Sequence, residues 1–164
     1  MKNKSLFVAQ GAVIAALYVV LTVFINAFGL ANGAIQIRIS EALTILPYFT
    51  PAAIPGLFAG CLLSNTITGA AIWDIAFGSV ATLLGALGTY ALKRYSKWLA
   101  PIPPIVANTL IIPPILYYVY ELPGSIPFFM LTVGAGEVLS CGVLGMILLF
   151  VLSKYRNVIF KNEN

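Results

Sequence analysis

Histidine is absent from this 164-residue sequence. That removes the usual general base and a common metal ligand together. It also excludes Ser–His and Cys–His nucleophile pairs and the HExxH zinc motif. Charge is scarce as well: 9% of residues are Asp, Glu, Lys or Arg, against about 25% in an ordinary soluble domain. No GxxxxGK[ST] phosphate loop occurs, so ATP hydrolysis by that route is excluded. The two cysteines, Cys61 and Cys141, lie in apolar segments without CxxC or zinc spacing and reveal no redox compartment. No low-complexity segment or clear repeat is present. Neither enzymatic activity, nor a cofactor, nor a metal is expected.

What fills the sequence instead is apolar. Hydrophobic residues make up 60% of it, and the mean hydropathy is +0.99. A chain this small has too few polar residues to cover a water-facing surface. The expectation is therefore an all-α integral membrane protein, one transmembrane domain over 1–164. A spanning helix needs about 20 apolar residues, so the length allows about six helices and no nucleotide-binding domain. The spans are read at roughly 6–30, 39–49, 52–66, 74–92, 98–120 and 126–152. Turn signals divide them: Asn32-Gly33, Thr50-Pro51, Thr68-Gly69, the Lys93–Lys97 stretch and Pro123-Gly124. Lys2 and Lys4 before an apolar run could open a signal peptide. The run from Leu6 to Phe28 exceeds a signal core, however, and is read as a retained helix.

The net charge of +4 resolves into clusters at Lys2/Lys4, Lys93/Arg94/Lys97 and Lys154/Arg156/Lys161. They flank apolar runs, so they read as positive-inside anchors and not as a nucleic-acid patch. Six crossings with both termini cytoplasmic put every basic residue inside except Arg38. Segments two and three are shorter than a full span and could instead form a re-entrant hairpin, which preserves that parity. Pro47, Pro55, Pro103-Pro104 and Pro113-Pro114 fall inside the spans and suggest kinked helices around a pocket. Proline is also simply commoner in membrane helices than in soluble ones.

Intramembrane charges cost about 2.5–3.5 kcal/mol each on insertion scales, so the few present are informative. Arg38 and Glu41 open segment two, and Asp74 opens segment four. Glu137 follows Gly134-Ala135-Gly136 about twelve residues into segment six, roughly 18 Å deep at 1.5 Å per residue. It must face the bundle interior, either as a ligand group or as a polar latch. Asn65 and Asn108 add two amides. With Trp73, these residues are expected to converge on the outer half of the bundle. Trp73-Asp74 could also be an interfacial anchor with a helix cap. Glu121, beside Pro123-Gly124, reads as a loop residue. The carboxylates, amides and indole suit a donor-rich nitrogen heterocycle, neutral or cationic, better than a phosphate. On the first helix, Gly11/Ala15 and Ala12/Ala16 form two small-xxx-small patterns. They serve either internal packing or docking to another membrane protein.

These residues resemble the substrate-binding S components of energy-coupling factor (ECF) transporters, and within them the QueT queuosine-precursor family. The resemblance covers nearly the whole chain. It rests on Ile37-Arg38-Ile39-Ser40-Glu41-Ala42-Leu43-Thr44, Leu63-Ser64-Asn65-Thr66, Trp73-Asp74-Ile75-Ala76-Phe77-Gly78-Ser79, Ala81-Thr82-Leu83, Ala107-Asn108 and Gly136-Glu137. It implies six helices in a bacterial plasma membrane and a 7-deazaguanine ligand, queuine or its aminomethyl precursor, held near the extracellular face. Arg38, Glu41, Asn65, Trp73, Asp74, Asn108 and Glu137 would bind it. A transmembrane coupling protein, met through Ala12 and Ala16, and two cytoplasmic ATPases would be the partners. The alternatives are a self-sufficient carrier and an S component for another vitamin-like heterocycle.

Overall fold

The computed structural model describes residues 4–29 and 38–159. The expected turn at Asn32-Gly33, together with Lys2, Leu30, Ile37 and Lys161, lies outside the described residues. The elements that those residues form are all helical. In order they are α1 (Lys4–Ala27), a 3-10 segment (Ile39–Tyr48), α2 (Ala53–Ile67), α3 (Ile72–Leu92), a 3-10 turn (Lys97–Leu99), α4 (Ile102–Tyr118) and α5 (Ile126–Glu137). A π-helical segment (Val138–Leu144) then leads into α6 (Gly145–Lys154) and α7 (Arg156–Ile159).

Among the described residues, four stretches are long and apolar enough to cross a membrane: Lys4–Ala27, Ile72–Leu92, Lys97–Tyr118 and the continuous Ile126–Lys154. Four such stretches are what a multi-pass membrane protein requires. The apolar α2 has 15 residues and spans only about 22 Å. The 3-10 segment has 10 residues, about 20 Å at its steeper rise. Both are thus shorter than the ~30 Å hydrocarbon core.

The 3-10 segment is the centre of the bundle. Eight successive residues from Ser40 to Pro47 are buried. An element buried on every side has no polar face to reveal its period. It packs against α1, α2, α3, the π segment and α6. Leu43, Ile45, Leu46 and Phe49 join Ile14, Tyr18, Leu57 and Leu149 in the larger apolar core; a smaller one joins Ile112, Leu116, Phe129 and Val133.

Helices meet closely where small residues allow it. A Cβ on Gly56 would stand 2.6 Å from the Gly11 carbonyl oxygen, and one on Gly60 3.1 Å from the Ala15 Cα. The Gly11/Ala15 stripe of α1 is therefore spent on α2 inside this chain. Ala12 and Ala16 remain exposed. Of the two roles open to the small residues of α1, Gly11 and Ala15 take internal packing here, because α2 presents its own glycines to them.

The proline expectation is corrected in the same way. Pro55, Pro103 and Pro104 stand in the first turns of α2 and α4, where no intrahelical donor is lost. Pro103 and Pro104 fill the notch at Gly88 and Gly85 of α3, within 2.4 and 2.7 Å of where Cβ atoms would sit. Pro47, Pro113 and Pro114 do lie inside their helices.

Candidate ligand site

The turn between α2 and α3 sets the rim. Thr68 caps α2, and Gly69 follows at φ +73°, in the left-handed region that glycine tolerates. Gly69 N–H donates to the Thr66 carbonyl (3.2 Å) and Ala70 N–H to the Asn65 carbonyl (2.9 Å), a Schellman closure. The chain reverses within a few residues, so Asn65 at the end of α2 and Asp74 in the first turn of α3 come to one place. Arg38, extended just before the 3-10 segment, reaches Asp74 with its guanidinium at 3.8 Å.

These three residues line a cavity of about 280 Å³ with Thr22, Asn26, Ser40 and Tyr120, closed on its apolar side by Ile25, Leu116 and Leu122. Tyr120 lies just past α4. Its hydroxyl donates to Asp74 Oδ2 (3.0 Å) and accepts from the Ala71 N–H (3.0 Å). The other carboxylate oxygen, Asp74 Oδ1, is buried and has no hydrogen-bond partner among the described residues.

Arg38 also lines a second, water-sized void with Asn108, Ile112, Val133 and Glu137. Glu41 is 1% exposed beneath the cavity floor. It accepts hydrogen bonds from the Tyr18 hydroxyl and from Asn108 Nδ2 (3.5 Å). Glu137 Oε2 accepts from Cys141 Sγ at 3.1 Å. The ligand atoms of Glu41, Glu137 and Cys141 lie within 4.8 Å of one another. A divalent cation would find two carboxylates and a thiol here, although hard ions favour six or more oxygens. The two carboxylates already accept hydrogen bonds from Tyr18, Asn108 and Cys141, so the knot suits an N–H donor better. The π turn just after Glu137 departs from regular helix at this level, as such turns often do at functional sites.

Of the residues expected at the site, Arg38, Asn65 and Asp74 line the outer cavity; Glu41, Asn108 and Glu137 form the inner knot below it. Trp73 joins neither. Its indole is 56% exposed and stacks on Phe77, with centroids 6.1 Å apart. One helical residue is a turn of about 100°, so with Asp74 facing inward Trp73 faces out. The expectation that its ring stacks on the ligand is corrected accordingly. Tyr18, Thr22 and Tyr120 were missed. Tyr18 and Thr22 sit four apart on α1, and Thr22 Oγ1 bonds Ser40 Oγ at 2.8 Å. A Tyr-x-x-x-Thr pair within the apolar stretch between Gln10 and Asn26 is the signal that could have found these two.

The model of the QueT transporter family matches residues 8–154. The queuosine precursor transporter QueT of Lactococcus lactis subsp. cremoris (strain MG1363) is similar to this chain, 31% identical over 97 residues. That match covers 58% of this chain and 57% of the relative, so it spans little more than half of that protein's length. No solved structure matches the chain.

Proposed function

This chain belongs to the QueT transporter family, and from that premise we propose that it captures a queuosine precursor for an ATP-driven ECF transporter. The ligand is a 7-deazaguanine base, taken from the extracellular side. The chain crosses the bacterial plasma membrane with both termini in the cytoplasm, as the basic clusters favour. A coupling protein and two ATPases supply the energy; the exposed Ala12 and Ala16 on α1 offer the coupling protein a face for close helix packing.

The observation that carries this reading is Asp74. It lines a cavity sized for a small heterocycle and keeps one buried carboxylate oxygen without a hydrogen-bond partner among the described residues. A guanine-like edge presents N–H donors to such a carboxylate, and charge-assisted bonds of this kind are the strong ones. Tyr120 holds the other oxygen, and Asn65 can both donate and accept. The Glu41–Glu137 knot below suits the ammonium that the aminomethyl and queuine bases carry.

The test is mass spectrometry of small molecules that co-purify with the detergent-solubilised chain, followed by calorimetry with the base, adenine, thiamine and riboflavin. Tight binding of the deazaguanine alone is expected. Binding of thiamine or riboflavin in its place removes the ligand assignment. Uptake that continues without the ATPase subunits removes the ECF reading and favours a self-sufficient carrier.

A further inference from the structure

At the opposite end of α1 from the polar cavity lies a groove of about 430 Å³ that the ligand site does not use. One wall is α1 from Leu6 to Leu17; the other is Leu43 and Leu46 of the 3-10 segment with Leu148 and Leu152 of α6. Its lining is apolar apart from Gln10 and Thr50, and these two satisfy each other, Thr50 Oγ1 donating to Gln10 Oε1 at 3.0 Å.

We propose that this groove binds one acyl chain of an anionic phospholipid, with its headgroup held at the end where Lys4, Lys154 and Arg156 stand. Length and charge both select this occupant. From Leu6 to Leu17 the wall runs about 16 Å at 1.5 Å per residue, close to the ~15 Å hydrocarbon depth of one leaflet. The groove is therefore as long as an acyl chain lying beside the bundle. Lys4 is two residues before Leu6, Lys154 two after Leu152, and Arg156 three before Ile159, which also lines the groove. All three basic residues are exposed. Their stems can lie along the apolar wall while their charged ends reach the headgroup layer. Among the described residues, no acidic one lines the groove. A zwitterionic headgroup would gain little there, whereas an anionic one meets three positive charges.

Native mass spectrometry of the purified full chain, with phosphatidylglycerol and phosphatidylcholine of identical acyl chains, tests the proposal. Preferential retention of phosphatidylglycerol is expected. Neutralising Lys4, Lys154 and Arg156 to Gln should weaken that retention by about fivefold for each residue removed. Ala9→Trp keeps every charge but fills the groove, and it should release the lipid as well. Lys93→Gln with Arg94→Gln removes charge from the α3–α4 turn, away from the groove, and should leave retention unchanged. Melting temperatures show that each variant is folded, and Ala9→Leu replaces Ala9→Trp if the latter is not. Equal retention of the two lipids overturns the proposal. So does an equal loss in the Lys93/Arg94 variant, which would mark general surface charge. Retention that survives a filled groove, or a second copy of the chain seated there instead, overturns it too.

Discussion

Helix α1 serves two regions of opposite character. Toward its C-terminal end Thr22, Ile25 and Asn26 face a cavity rimmed by Arg38, Asn65 and Asp74. Toward its N-terminal end Leu6, Gln10 and Val13 face an apolar groove. The first region, with the knot beneath it, holds the buried carboxylates Glu41, Asp74 and Glu137 and the buried amides Asn65 and Asn108. The second buries leucine, isoleucine and phenylalanine around the 3-10 segment. In lipid, polar groups find no water to satisfy them, so they gather where they can satisfy each other or a ligand. The apolar region carries the stability; the polar region spends some of it on a site. Substitutions in the two should therefore separate binding from folding.

The sharpest break in that separation is expected at Glu137. Glu137→Gln removes a buried carboxylate from the knot with Glu41, Cys141 and Asn108. Loss of a charge-assisted bond to a buried ligand costs about 1.5–3 kcal/mol, or roughly ten- to a hundredfold in Kd. Glu121→Gln, in an exposed turn, should leave affinity unchanged. Calorimetry on both variants decides the point. Equal affinity for wild type and Glu137→Gln, with the melting temperature preserved, takes Glu137 out of the site.

A smaller effect is expected at Tyr18, which joins the two regions. Its ring belongs to the apolar core, and its hydroxyl donates to Glu41. Tyr18→Phe keeps the packing and removes only that donor, for a loss of about 1 kcal/mol in stability. The double variant with Glu41→Gln should lose less than the sum of the two single changes, because both act on one hydrogen bond. Strict additivity would show that Tyr18 does not act through Glu41.

Much of this arrangement was legible beforehand. Glu137 had to face inward because a carboxylate at that depth cannot face lipid. Arg38, Asn65 and Asp74 could be grouped because turn signals placed them at one end of their helices. The 3-10 geometry of Ile39–Tyr48 was not legible. A segment buried on all sides shows no periodicity, so a 3.0-residue repeat and a 3.6-residue one look alike. Trp73 was misjudged because adjacency to Asp74 in sequence is divergence on a helix. Pro103 and Pro104 looked like kinks because their partners, Gly85 and Gly88, lie on another helix and only the fold brings them together.

The least effect on ligand binding is expected at Ala16, and its value lies in that contrast. Gly11 and Ala15 meet Gly56 and Gly60 of α2 within the chain, so Gly56→Val should lower stability and binding together. Overpacking of this kind costs typically about 1–3 kcal/mol. Ala16 belongs to the other small-residue stripe and is exposed. Ala16→Trp should leave the melting temperature and the ligand affinity of the isolated chain as they are. If that face meets a coupling protein, the indole holds two backbones apart and forfeits the many weak contacts that close approach allows. Uptake and partner co-purification should then both be lost. All four quantities measured on one variant separate the possibilities. If uptake and co-purification are unchanged, Ala16 lies outside the docking surface. A fall in all four together would show that the outer stripe, like the inner one, is packed inside the bundle.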